Sequence, residues 1–210
     1  MGSEPVDGGV DPGWFEFYDD TITIDPSTPA DRDFLSGLRA GAVSHRWPCE
    51  PYDTWAYHAI DDDQHLLRVG VWVDDDEKQR RLLTCGVEFD GTHIVGGECY
   101  HDIPFDFEGA PEKEIVYSGP VQILVQRAGE YFERVLSRPI ELREWFENGE
   151  EVYREWALAH TERALTAQLK PKPDRPADRV TLVRGVRELE AGSGGGRKRW
   201  WDFGKRRRSS

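Results

Sequence analysis

Alternation of bulky and polar residues marks the first half of the chain and predicts β-strands there. It is clearest over residues 66–73 and 81–89, where every second position is apolar. Weaker alternation predicts further strands over residues 14–24, 55–60, 92–100 and 179–184. Because short polar turns separate the central strands, we expect them to form an antiparallel meander.

Asp90-Gly91 lies between two of these strands and is a strong signal for a two-residue hairpin loop. Such a loop would pair Phe89 with Thr92 and Val87 with Ile94. This register predicts a core face made of Leu83, Cys85, Val87, Phe89 and Ile94. The opposite, more open face would carry Glu88, His93, Val95, Cys99 and His101.

Helical periodicity dominates the second half of the chain. Apolar residues spaced three and four apart predict a helix over residues 118–137. Thr28 as N-cap, followed by Pro29, predicts an earlier helix that ends near Arg39, before Gly41. Two further helices are predicted, from Pro139 to Asn148-Gly149 and over residues 150–169.

The separation of strands from helices predicts the α+β class, with an antiparallel β-meander and helices packed on one face. We expect the chain of 210 residues to divide into a disordered N-terminus at 1–13, a single acidic domain at 14–190, a Gly/Ser hinge at 191–196 and a tail at 197–210. No run of apolar residues is long enough to span a membrane, and no signal peptide is expected. Three scattered cysteines favour a reduced, cytoplasmic protein.

Charge is divided unevenly along the chain. The net charge is −13, but residues 1–196 hold 39 acidic and 20 basic residues, for a net charge of −19. Residues 197–210 hold seven basic residues and one Asp, for a net charge of +6. An acidic body of this kind should repel nucleic acid and anionic membranes, whereas the tail should attract both.

The tail combines basic and aromatic residues in one short segment. Exposed tryptophan is unfavourable unless it has a surface to contact. We interpret the tail as a short linear motif in which aromatic anchors and basic steering charges dock on an acidic surface. Nucleic acid, an anionic membrane surface and the chain's own acidic body remain alternative targets. The predicted partner-binding residues are Arg197, Lys198, Arg199, Trp200, Trp201, Phe203, Lys205, Arg206, Arg207 and Arg208.

Candidate catalytic groups are sparse. Glu88, Cys99 and His101 on the open face would suit a metal-assisted hydrolase, although His93 lies roughly 20 Å from Cys99 along an extended strand. No nucleophile elbow, phosphate loop or zinc-protease motif accompanies them. The acidic turns at 61–63 and 74–77 lack a calcium-loop pattern and are expected to be solvated.

Two other groups of residues have a structural and a functional interpretation. Tyr57, His58, Asp61 and His65 would allow acid–base chemistry, but nothing in the sequence fixes their geometry. Trp47 lies in an irregular segment, where we expect it to plug a packed connector.

Three functions are therefore compared. The favoured one is a non-enzymatic interaction or adaptor protein, whose acidic body binds a basic protein and whose tail docks on a second partner. The alternatives are the hydrolase and a protein that associates with nucleic acid through the tail. No cofactor or metal is predicted, and self-association between body and tail is possible.

Overall fold

The computed structural model describes residues 13–16, 28–61, 64–75, 80–99, 113–159, 161 and 163–185, with backbone alone for 59–61, 64, 65 and 113. The helices are α1 (Pro29–His45) and α2 (Val121–Leu136), and a single 3₁₀ turn covers Pro51–Asp53. The strands are β1 (Thr54–Asp61), β2 (Gln64–Asp74), β3 (Arg81–Phe89), β4 (His93–Glu98), β5 (Lys113–Ser118), β6 (Ile140–Glu147), β7 (Glu150–Leu158), β8 (Ala164–Ala167) and β9 (Arg179–Arg184).

Two antiparallel sheets contain these strands, so the predicted α+β class is confirmed. The first sheet has the order β1-β2-β3-β4-β5 and the second has the order β8-β7-β6-β9. The chain divides into two compact units. Unit 1 consists of Met1–Val73 and Leu83–Glu133, and unit 2 consists of Asp74–Leu82 and Arg134–Ser210. Neither described helix is long and apolar enough to cross a membrane.

The core of unit 1 lies between the five-stranded sheet and its helices. One face of the sheet is apolar across all of its central strands, and Phe34 of α1 stacks on Phe89 with ring centroids 4.3 Å apart. Helix α2 packs closely against α1. A Cβ added to Gly37 would lie only 2.7 Å from the side chain of Val125. Glycine at this position therefore sets the close contact between the two helices.

The opposite face of the same sheet also contains a buried aromatic residue. The indole of Trp55 lies over Gly70, where a Cβ would be 2.1 Å from the ring. Only glycine leaves room for this indole, which makes Gly70 a packing requirement of the strand. On the same face, Arg68 Nε donates to Glu88 Oε2 at 2.8 Å.

The β3–β4 register differs from the predicted one by two residues. Phe89 pairs with Ile94 and Val87 with Gly96, so the two-residue loop is Gly91-Thr92 rather than Asp90-Gly91. The reason is that the Asp90 carboxylate accepts the N–H groups of Thr92 and His93 and thereby moves the turn along the chain. A shift of two residues keeps the same side chains on each face, so the predicted core face is confirmed.

Helix α1 is longer than predicted. Its Thr28 capping box is confirmed, but Gly41 does not stop it, since one glycine costs only about 1 kcal/mol in a helix. The helix ends at His45, and its C-cap residue Arg46 adopts the left-handed conformation (φ 51°) shortly before Pro48. The predicted first strand lies mostly outside the described residues. Of its described part, Trp14 and Phe15 form a turn, and the Glu16 carbonyl oxygen accepts the Ala56 N–H of β1.

The two helices predicted over residues 139–169 are wrong, whereas the strand predicted at 179–184 is confirmed. Strands β6 and β7 pair antiparallel, with Glu147 opposite Glu150. Asn148 and Gly149 both have positive φ (53° and 85°), which is the backbone of a type I′ hairpin rather than of a helix end. The helix predicted at 118–137 is confirmed as α2.

Three cysteines, all in unit 1, are distributed over different environments. Cys85 is fully buried on the face of β3 that packs against α1, and Cys99 is buried on the opposite face of the sheet. Cys49 is half-buried in the segment after α1. None of the three forms a disulfide bond.

Candidate interaction surfaces

The favoured site from the sequence, the tail at residues 197–210, lies outside the described residues. Its ten basic and aromatic residues therefore remain a predicted docking motif. The described residues instead include the acidic surface to which such a motif, or a basic partner, would bind.

Negative charge is concentrated in one of the two units. Unit 1 contains 24 acidic and 6 basic residues, for a net charge of −18. Unit 2 contains 16 acidic and 21 basic residues, for a net charge of +5. Without residues 197–210, unit 2 has a net charge of −1, so almost all of the excess charge of the acidic body belongs to unit 1.

Some of the few basic groups of unit 1 are engaged within the unit. Arg68 binds Glu88, and Arg127 Nη1 donates to Glu130 Oε2 at 2.9 Å. Arg39 donates to the backbone carbonyl oxygens of Trp14 and Phe15. The carboxylate partners of Arg68 and Arg127 offset the charges of these two cations, which therefore contribute little positive potential that would deter a basic partner.

Carboxylates in unit 1 also close its turns. Asp31 accepts the Thr28 N–H at 3.0 Å at the start of α1, and Asp90 accepts two N–H groups in the β3–β4 turn. Burial opposes ionisation of Asp90, but hydrogen bonds from Thr92 and His93 outweigh it and hold the pKa of this carboxyl below its usual value. The charge of Asp90 is thus retained at neutral pH.

Exposed carboxylates extend this negative surface along α2. Hydrogen bonds from Gln126 and Arg127 lower the pKa of Glu130, an exposed residue of α2. Glu133, one turn further on, pairs with His45 at the end of α1. The surface of the two helices therefore presents fixed negative charges close to their contact.

Strand β5 forms an edge of the five-stranded sheet and carries exposed apolar side chains. Among the described strands none pairs with its outer edge. Val116 is 60% exposed and Tyr117 is 40% exposed on this strand, and Ile123 on the following helix is 48% exposed. This strand was not predicted from the sequence, although Ile115-Val116-Tyr117 shortly before Gly119-Pro120 is a short run of strand-forming residues.

The alternative hydrolase site is only partly described. Glu88 and Cys99 share the sheet face that was predicted for them, whereas His101 lies outside the described residues. The Glu88 carboxylate accepts from Arg68, and Cys99 is buried. Within the described part of the chain, no three His, Cys, Asp or Glu side chains come together as a metal site would require.

Two of the residues considered for acid–base chemistry, Tyr57 and His58, are separated by the fold. His58 is buried on the core face, with Nε2 3.8 Å from Asp31 Oδ2. Tyr57 is its neighbour in β1 and therefore points to the opposite face. The side chains of Asp61 and His65 are not described. Trp47 is buried against Trp14, Phe15 and Phe132, so its predicted role as a plug is confirmed.

Unit 2 contains a buried ionic network that the sequence analysis did not predict. Glu155, whose side chain is 2% exposed, lies 2.9 Å from Lys172 Nζ and 3.6 Å from Arg143 Nη1. On the other face of this sheet, Arg179 makes a bidentate contact with Glu144 at 2.5 and 2.6 Å. Each buried carboxylate therefore has a cation beside it, which explains how the sheet tolerates charge in its interior.

The aromatic side chains of unit 2 pack around this network. Lys172 lies over the ring of Trp145, and Trp145 Nε1 donates to the carbonyl oxygen of Arg175. Burial and the nearby Glu155 carboxylate raise the pKa of Tyr153, so its hydroxyl stays protonated. The contacts of Trp145 with Lys172 and Arg175 hold the proline-rich segment after β8 against β6, so we assign these side chains a structural role.

Comparison with known proteins adds no further assignment. No family model, curated protein or solved structure matches this chain.

Proposed function

We propose that this chain is a non-enzymatic interaction protein, in which the acidic unit 1 binds a basic protein segment and the tail at 197–210 docks on a second partner or a larger assembly. The observation that carries the proposal is the division of charge between the units, −18 in unit 1 against −1 in unit 2 without the tail. We further propose a cytoplasmic location, in keeping with unbridged cysteines.

The acidic unit favours a basic partner for electrostatic reasons. A surface with a strong excess of one sign speeds association with partners of the other sign and discourages partners of the same sign. Three basic residues of the unit, Arg39, Arg68 and Arg127, are bound internally. Carboxylates such as Asp90 and Glu130 stay ionised well below neutral pH. The attraction should therefore persist over the whole physiological pH range.

The alternative functions have less support. Binding of nucleic acid through the tail would bring phosphates near a unit with a charge of −18, which would lower the affinity. A hydrolase that uses Glu88 would first have to release this carboxylate from Arg68. Both alternatives give different outcomes in the experiment that follows.

The test is capture of partners from native lysate by four forms of the protein, at low and moderate salt. The forms are the full chain, a version that ends at Gly192, a unit 1 variant (Asp33→Asn with Glu130→Gln) and a matched unit 2 variant (Glu147→Gln with Glu150→Gln). All four substituted carboxylates lie on exposed residues, and both double variants change the net charge by the same amount. A general effect of charge is thus separated from an effect of unit 1.

We expect a basic partner whose capture weakens with salt and in the unit 1 variant but not in the unit 2 variant. A second partner should be lost from the version that ends at Gly192. Capture that is indifferent to salt, to both double variants and to the tail would refute the proposal. Recovery of nucleic acid through the tail alone would favour the nucleic-acid alternative and would also count against it.

A further inference from the structure

We propose that the basic partner of unit 1 binds as an added strand along the outer edge of β5. The surface formed by this edge and the exposed side chains of Val116, Tyr117 and Ile123 is called the β5 edge below. The partner segment would be extended, apolar in its middle and basic at both ends. The inference rests on the function proposed above, and it specifies where unit 1 binds and which segment it accepts. Addition of a strand to an open sheet edge is a general mode of peptide recognition.

The outer side of β5 is open among the described strands. On its other side, β5 pairs with β4 in regular register, from His93 with Ser118 to Gly96 with Ile115. Residues 115–118 therefore have the backbone geometry of a regular strand. An open edge of this kind offers N–H and C=O groups that a further strand can satisfy.

Apolar side chains flank this edge on both faces of the sheet. Val116 lies on the face opposite the helices, beside Val95 of β4, and is exposed. Tyr117 lies on the helix face, where Ile123 of α2 is also exposed. The Arg127 guanidinium of α2 lies 5.3 Å from the centroid of the Tyr117 ring. Because successive residues of a strand point to opposite faces, an added strand would place side chains against both apolar sets.

A β-bulge at the start of β5 disfavours a second copy of the chain as the occupant. Between Gly96 and Gly97 of β4, strand β5 advances by two residues, so Glu114 is the extra residue of the bulge. Bulges and charged residues on edge strands prevent two such edges from pairing. Two copies would also bring together two units that each have a net charge of −18.

Charge favours a basic segment at the same edge. The net charge of −18 on unit 1 attracts cationic segments before contact. Glu114 lies at one end of the regular stretch, and the Asp90 turn between β3 and β4 lies at the other end. Arg127 is offset by Glu130 at 2.9 Å, and Lys113 lies beyond the bulge. Basic residues at both ends of a bound segment would therefore lie near a carboxylate whichever way the segment runs.

The length of the regular stretch defines the partner segment. Four residues span about 13 Å at about 3.3 Å per residue. The matching segment therefore has about four strand-forming residues, with Arg or Lys directly before and after them. A contact of this size gives a modest affinity, and the charge of unit 1 raises the rate of association.

The test titrates the full chain with fluorescently labelled peptides of defined sequence. The probe is the peptide Lys-Arg-Val-Tyr-Val-Tyr-Arg-Lys, and its charge control has Glu at the four basic positions. Two further peptides carry N-methyl groups, one on both valines and the other on both tyrosines. Each pair of N-methyl groups removes donors from one edge of the peptide and leaves its side chains and charge unchanged. Fluorescence anisotropy measures the Kd of each peptide.

We expect only one of the two N-methylated peptides to lose affinity, by at least about tenfold, because only the edge that faces β5 forms backbone hydrogen bonds. The peptide with acidic ends should not bind, and raising the salt concentration should weaken binding of the probe. Hydrogen–deuterium exchange of residues 115–118 should slow when the probe is bound. Exchange in β1, at the other edge of the same sheet, should not change.

Matched surface variants of the full chain locate the contact. Val116 and Val43 are valines of unit 1 with nearly equal exposure, at 60 and 63%. Val116→Lys and Val43→Lys change the net charge equally, but only the first places a cation beside the bound segment. We expect Val116→Lys to raise the Kd of the probe at least about threefold and Val43→Lys to have a smaller effect. Circular dichroism of both variants checks that the fold is intact.

Four results would overturn the proposal. The first is an equal loss of affinity in both N-methylated peptides, since charge or side chains alone would then hold the probe. The second is an equal effect of the two lysine variants. The third is protection of β5 without peptide at high chain concentration, together with association seen by light scattering, because a second copy would then be the occupant. The fourth is binding by a version that ends at Gly192 but not by the full chain, which would make the tail the occupant.

These results are independent of the capture of partners from lysate. If capture depends on unit 1 but the probe does not bind, the proposed function stands and the β5 edge is refuted as its site. If the probe binds as expected but capture is indifferent to salt, to the double variants and to the tail, the edge is confirmed as a peptide site and the proposed function fails.

Discussion

The two units of this chain use charged side chains in opposite ways. In unit 1, carboxylates such as Asp31 and Asp90 close turns at the ends of elements, and the sheet face against α1 is mainly apolar. In unit 2, Glu144 and Glu155 lie buried on strands, each beside a cation. The comparison shows that two units with a similar proportion of acidic residues can place them in different positions, at surface turns in one unit and in the interior of a sheet in the other.

This contrast bears directly on binding. Paired charges in unit 2, apart from the tail at 197–210, cancel over short distances and leave little potential outside the unit. The carboxylates of unit 1 have few cations to offset them, so their fields add. Partner recognition by charge is therefore expected of unit 1, and structural cohesion through charge is expected of unit 2.

The largest expected effect is the loss of a cation from the network of unit 2. Arg143→Met removes the guanidinium that lies between Glu141 and Glu155, at 3.5 and 3.6 Å, and should lower the free energy of unfolding by about 1.5–3 kcal/mol, because Lys172 remains beside Glu155. Arg68→Met in unit 1 breaks a pair with partly exposed Glu88 and should cost about 1 kcal/mol or less. Urea denaturation measures both values.

A double variant tests the cause of this difference. Arg143→Met with Glu155→Leu removes the carboxylate that the first substitution leaves without its guanidinium, and should recover at least half of the lost stability. Equal costs for Arg143→Met and Arg68→Met, or no recovery in the double variant, would contradict the distinction between the units.

The next effect concerns the carboxylate-closed turn of unit 1. Asp90→Ala should lower the free energy of unfolding by about 1 kcal/mol at neutral pH, through loss of its hydrogen bonds to Thr92 and His93. Because the folded pKa of Asp90 lies below its usual value of 3.8, this contribution is complete above about pH 5 and disappears as the pH falls through the folded value. Urea midpoints between pH 6 and 2 should therefore converge for variant and unsubstituted protein.

The corresponding turn of unit 2 should respond to the backbone rather than to pH. Asn148 has φ of 53°, so Asn148→Ala should cost about 1 kcal/mol, with the same value at pH 6 and pH 3. Asn148→Gly, which retains access to the left-handed region, serves as the control and should cost less. A pH-dependent cost at Asn148 would remove the contrast with Asp90.

The smallest effect is the response to salt. Raising NaCl from about 0.1 to 1 M shortens the screening length from about 10 to 3 Å and should stabilise unit 1 by less than about 1 kcal/mol, because its carboxylates repel one another. Unit 2 should be unchanged or slightly destabilised, since its charges attract. Amide exchange measured separately in β3 and β6 distinguishes the two responses, and equal shifts would contradict the comparison.

How well the sequence predicts each unit follows from the same contrast. Strands β1 to β4 alternate visibly because one face is almost wholly apolar, and the faces of Leu83 and Ile94 are confirmed despite the shifted register. Strands β6 and β7 conceal their alternation, because Glu144 and Glu155 occupy buried positions where an apolar residue is expected. Glutamate also favours helices, so local propensity supported the wrong element.

The candidate surfaces were predictable only in part. The sequence separates a basic tail from an acidic body, but it cannot show that the negative charge of the body belongs to one unit. That result needs the fold, because residues 74–82 interrupt unit 1 along the chain and are part of unit 2. The position of β5 at an edge of its sheet likewise depends on strand order, which no pattern within Lys113–Ser118 specifies.

The three cysteines give this protein a reporter that is specific for one unit. Cys85 and Cys99 are buried on opposite faces of the unit 1 sheet, Cys49 is half-buried, and the sequence contains no cysteine in unit 2. A thiol reagent can reach the two buried sulfurs only when that sheet opens. The rate at which Cys85 and Cys99 are labelled therefore measures the opening of unit 1 alone. It can be measured in the native chain without any engineered probe.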